Sequence, residues 1–98
     1  MPAISKSEAA EKLARAVEAA SSEDLADIYT ELFPEKVLPQ SSEAILSVEI
    51  TSYIRAKIEP EEIVDLWHVV FPANRNVCYD EEEGVVRYNQ EEPWYAER

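Results

Sequence analysis

The chain has 98 residues, one glycine and one cysteine, and a formal charge of −12 from 21 acids against nine bases. That length gives a single domain with a core of its own, and a lone cysteine excludes an intramolecular disulfide framework. The charge sets the chain against direct binding to nucleic acid or anionic lipid, and glycine far below the usual ~7% disfavours an all-β fold of tight hairpins.

Residues 5–20 read as the first helix. Ser5 with Glu8 fits a capping box, with Ser7 a rival cap. Ala9, Ala10, Leu13, Ala14, Val17 and Ala20 then fall on one face, small enough for a neighbouring helix to come close. Ser21 or Ser22 caps a second helix with Glu23 and Asp24 in its first turn. Its stripe is Leu25, Ile28, Tyr29 and Leu32, and Pro34 biases Phe33 out of the α region and stops it. Residues 34–41 contain two prolines and read as a linker.

Residues 42–58 fit two templates. Leu46, Ile50, Tyr53, Ile54 and Ile58 make a helical stripe, while Leu46, Val48, Ile50 and Ile54 also fit a period of two. A repeat decides for helix. Residues 23–34, EDLADIYTELFP, recur thirty-eight positions later as residues 61–72, EEIVDLWHVVFP. Glu, Asp, Phe and Pro are identical at 23/61, 27/65, 33/71 and 34/72, and five further positions are similar. Self-similarity at one offset marks a duplicated unit, so residues 42–58 stand where the first helix stands. Glu59-Pro60-Glu61-Glu62 opens the fourth helix, with proline near its first position. Ile63, Leu66, Trp67 and Val70 are its stripe, and Phe71-Pro72 ends it.

Residues 73–98 have no counterpart in the first half. Val77-Cys78-Tyr79 and residues 85–88 are β-prone, and Asp80-Glu81-Glu82-Glu83-Gly84 between them suits a hairpin loop. Two strands alone are marginal, so the hairpin is expected to lie on the helices. The expected fold is mainly α: one domain over residues 1–98, with duplicated helix pairs at 5–34 and 42–72, then a short C-terminal β-hairpin and tail at 73–98.

Few residues invite chemistry. His68 has no second ligand at metal spacing and reads as a surface residue. Cys78 lacks an evident base other than His68 and reads as a small buried hydrophobe. The acids at 80–83 are consecutive, whereas calcium loops space their oxygens and turn on a glycine. Phosphate-binding, nucleophile-elbow, zinc and dinucleotide motifs are all missing. The expectation is a non-enzymatic protein without metal or cofactor. With neither a membrane span nor a signal-peptide run in the sequence, a cytoplasmic location is expected.

Two functions fit this composition. The first is a protein-binding module, an adaptor, inhibitor or regulator, that meets a basic protein partner through an acidic surface and C-terminal aromatics. The second is a nucleic-acid mimic or immunity-type inhibitor that blocks a basic site on a nucleic-acid-binding protein. Residues 41–98 hold thirteen acids and five bases, a net of −8, against −4 for residues 1–40. Trp94 and Tyr95 either fold back on the helices as a clasp or anchor a partner, and Trp and Tyr are favoured interface anchors. The expected partner contacts are therefore Asp80, Glu81, Glu82, Glu83, Glu91, Glu92, Trp94 and Tyr95.

Overall fold

The computed structural model describes residues 3–36, 43–72, 74 and 76–89. Four helices and three short strands follow in the order β1 (Ala3–Ser5), α1 (Lys6–Glu18), α2 (Ser22–Leu32), α3 (Glu43–Ala56), α4 (Pro60–Val70), β2 (Cys78–Asp80) and β3 (Val85–Arg87). The fold is mainly α with a minor antiparallel sheet.

Each helix starts where its cap allows. The Glu8 amide donates to Ser5 Oγ at 3.2 Å, and the Asp24 amide to Ser21 Oγ at 3.4 Å, which identifies Ser21 as the cap of α2. At α4 the cap is Glu59, whose amide donates to Glu62 Oε1 at 3.0 Å. The ends of α2 and α4 match closely. Phe33 has φ −126° and ψ 65°, Phe71 has φ −121° and ψ 70°, and each amide donates to the carbonyl four residues back at 2.8 Å. Both helices stop on a phenylalanine because the following proline excludes α geometry there.

Residues 43–56 are helical, so the stripe that includes Leu46, Ile50 and Ile54 prevails over the period of two. Strand-like alternation arises because Val48 is also apolar, but it points the other way and is 64% exposed. Buried positions of α1 and α3 correspond at a spacing of 37: Ala9 with Leu46, Leu13 with Ile50, Ala14 with Thr51, and Val17 with Ile54. Beyond them Ala20 corresponds to Ile58 at 38. The difference is taken up at the helix ends. α1 closes on i−3 bonds, Ala19 to Ala16 and Ala20 to Val17, whereas α3 closes on the i−4 bond from Lys57 to Tyr53. Thr51, polar and buried, donates its hydroxyl to the Ser47 carbonyl at 2.8 Å.

The principal helix packing crosses between the two halves: α1 lies on α3 and α4, and α2 lies on the same two. Neither half has a core without the other. Trp67, Leu13, Leu25, Ile50 and Ile54 are the bulky side chains at its centre, each at most 1% exposed.

The C-terminal hairpin forms as expected, with residues 81–84 as its turn. Gly84 adopts φ 67° and its amide donates to the Asp80 carbonyl at 2.7 Å. The single glycine of the chain therefore stands at its one positive-φ position among the described residues. Sequence reading missed the third strand. β1 pairs antiparallel with β3 (Ala3 with Arg87, Ser5 with Val85), making the order β1-β3-β2. Three residues directly before a capped helix are too short for a periodicity signal. Cys78 also differs from expectation: it is exposed. Strand alternation turns Val77 and Tyr79 toward the helices and Cys78 outward. Ile4, Tyr79 and Val86 form the inward row across the three strands.

Candidate functional site

Helix α3 is apolar on two sides. Its inner side is the core stripe, and its outer side carries Ile45 and Val48, the two large apolar residues that are exposed among the described residues, at 58% and 64%. Ile45, Val48, Ser52 and Ala56 lie at i, i+3, i+7 and i+11, one helical face. Beside that face stands the end of α2. Tyr29 and Phe33 meet at a tilt of 56° with ring centroids 4.8 Å apart, and Phe33 meets Tyr53 of α3 edge-on at 5.0 Å. Together these residues wall a groove of about 750 Å³. Lys36, Glu49 and Lys57 form its charged rim, with Lys36 Nζ 4.9 Å from the centre of the Phe33 ring.

Tyr53 is held in place from α4. Its hydroxyl donates to the Glu62 carboxylate, 2.6 and 2.7 Å from the two oxygens. Glu62 thus closes the start of α4 and orients one wall of the groove. The hydrogen bond to Glu62 and burial push the Tyr53 hydroxyl up to about 12. A raised folded-state value means that this bond stabilises the fold fully below pH ~10, the ordinary tyrosine value, and loses that contribution as pH climbs from there to about 12. In a pH titration followed by ring resonances, Tyr53 is expected to ionise above the ordinary tyrosine value. Glu62→Gln should bring it back toward the ordinary value; an unchanged titration would mean that Glu62 is not the cause.

The expected contact set separates into three parts. Asp80 is engaged within its own turn: Oδ1 accepts the Glu82 and Glu83 amides at 3.1 and 3.2 Å, and Oδ2 meets Arg87 at 3.4 Å. The backbone bond from Glu83 is the main cause that lowers its carboxyl below the ordinary value, helped by Arg87 and the Glu82 amide. Glu81, Glu82 and Glu83 are exposed on the turn, and Glu81 lies beside Pro60 and Glu61 at the start of α4. Glu91, Glu92, Trp94 and Tyr95 lie outside the described residues.

Other charges face one another across α1 and α3. Arg55 reaches Glu11 at 2.9 Å and Glu18 at 2.8 Å, and Arg15 reaches Glu11 at 3.1 Å. The hydrogen bonds from Arg55 and then Arg15 lower the Glu11 carboxyl. His68 is exposed on α4. Among the described residues no group of three or more His, Cys, Asp or Glu could hold a metal ion, and no helix is long and apolar enough to cross a membrane.

The groove was missed in the sequence although its signal was there. Ile45 is an apolar α3 residue outside both periodic patterns, and Val48 belongs only to the period-two pattern. Their positions place them on a second face. No protein-family model matches the chain, no curated protein matches it, and no solved structure matches it.

Proposed function

We propose that the chain is a non-enzymatic protein-binding module that seats its partner in the α2–α3 groove. The observation that carries this is the exposure of Ile45 and Val48 beside the half-buried rings of Phe33 and Tyr53. A contiguous apolar patch with a charged rim is a usual mark of an interaction site. Glu81, Glu82 and Glu83 serve approach rather than affinity: exposed charge steers a basic partner and is screened by salt. The nucleic-acid-mimic reading draws less support, because Asp80, Glu11 and Glu18 are paired within the fold instead of being presented in rows.

Crosslinked affinity capture from the source cells tests this. Val48→Glu should weaken capture of a specific partner by about tenfold or more, while its melting temperature stays at the wild-type value. Replacing Glu81, Glu82 and Glu83 by glutamine should slow association and flatten its salt dependence, with the complex retained. Equal capture by the Val48→Glu protein, or no partner under any condition, rejects the reading.

A further inference from the structure

We propose that the α2–α3 groove takes an extended segment of the partner protein, one that lays an aromatic side chain against Tyr29, the counterpart of Trp67, beside Phe33, and a carboxylate on Lys36. This inference rests on the reading of the chain as a protein-binding module. The two halves of the molecule share their helix ends but not their cover. Phe33 and Phe71 end their helices with the same backbone geometry, and the next bond is shared too. The Lys36 amide donates to the Phe33 carbonyl at 3.0 Å, and the Asn74 amide to the Phe71 carbonyl at 2.9 Å. The surface beside Phe33 and α3 is therefore the counterpart of the surface beside Phe71 and α1.

At the second of these places the chain supplies its own cover. The strands pack on α1 and α4, and Tyr88, just past β3, lies 5.0 Å from Trp67 ring to ring. Asn74 fixes the covering strand by accepting the Asn89 amide at Oδ1, 2.9 Å away. Trp67 and Phe71 are 0% and 2% exposed there; of their counterparts Tyr29 is 4% exposed, and Phe33 is the one that differs. At the first place the strands contribute nothing comparable: no strand has its principal packing on α2 or α3. Phe33 stays half-buried beside Ile45 and Val48.

The cover used once shows what its counterpart, uncovered by the described residues, accommodates: a strand-like segment with an aromatic at the place of Tyr88. Its next residue differs in chemistry. Asn74 offers a carbonyl oxygen and holds a backbone N–H; Lys36 has only donors, so the atom opposite it must be an acceptor. Lys57 on the same rim adds a second positive charge. An acidic residue following the aromatic satisfies both. A second copy of the chain is a poor occupant, because two bodies of −12 repel.

The test titrates the full-length, nitrogen-15-labelled protein with a peptide copying residues 84–89 but carrying Asn89→Glu. Shifts are expected at the amides of Phe33, Val48 and Tyr53. Affinity should fall about tenfold when the peptide also carries Tyr88→Ala, the scale of losing an aromatic anchor. The preference for this peptide over the unaltered one should vanish in the Lys36→Ala protein. The proposal is overturned if the Tyr88→Ala peptide binds equally well, or if the shifts appear only around Trp67 and Phe71. An amphipathic helical peptide binding more tightly also overturns it. Two further outcomes reassign the groove: the same shifts moving on deletion of residues 90–98 point to the chain's own tail, and self-association abolished by Val48→Glu points to a second copy. Should every peptide fail while Val48→Glu still loses the captured partner, the segment chemistry is wrong and the module reading stands.

Discussion

Trp67→Ala is expected to remove about 3–5 kcal/mol of folding stability. A domain of this size holds only about 5–15 kcal/mol in total, so the variant should lose a large share of its stability. Trp67 is fully buried and touches two other rings, Phe71 at 4.5 Å and Tyr88 at 5.0 Å. Truncation loses its transfer free energy and leaves a cavity that rings already fixed by β3 and α4 cannot fill. Phe33→Ala, at the end of α2, provides the contrast. Its ring is half-buried on an open groove, so water fills the space and the loss should be nearer 1–2 kcal/mol. Urea denaturation of both proteins measures the difference. Equal losses would mean that the groove is already covered and that the two places are not distinguished by their cover.

That asymmetry also marks the limit of what could be read from sequence. The boundaries of α2 and α4 were legible because local chemistry sets them: caps at Ser21 and Glu59, proline at 34 and 72. The hairpin turn was legible because one glycine had one plausible use. Positions that depend on distant chain were not. β1 forms only because Val85–Arg87 offers it an edge. The exposure of Cys78 follows from which face of the sheet meets the helices. Ile45 and Val48 stand off the α3 core stripe already in the sequence, but that α2 sets Phe33 beside them follows only from the packing of the two helices. The acid run at 80–83 was legible as a turn, but not the use of Asp80 to tie that turn together.

The small face of α1 was read directly from sequence, and it leads to the second large effect. Leu13 and Ala14 are both 0% exposed in the helix that packs on α3 and α4. Leu13→Ala should cost about 2–5 kcal/mol by leaving a cavity. Ala14→Leu should cost about 1–3 kcal/mol by forcing a branched side chain into a place shaped for a methyl group. The informative protein carries both changes. It has the wild-type composition and the same total side-chain volume, so a core that behaved like oil would return it to near wild-type stability. Protein interiors are packed like molecular crystals, and adjacent helical positions point about 100° apart. The new leucine therefore cannot reach the hole left by the old one. The double variant should be less stable than either single variant, read as a lower urea midpoint at unchanged slope. Recovery to the wild-type midpoint would show that α1 can rotate or slide on α3. In that case the close approach of the two helices is not what fixes their register.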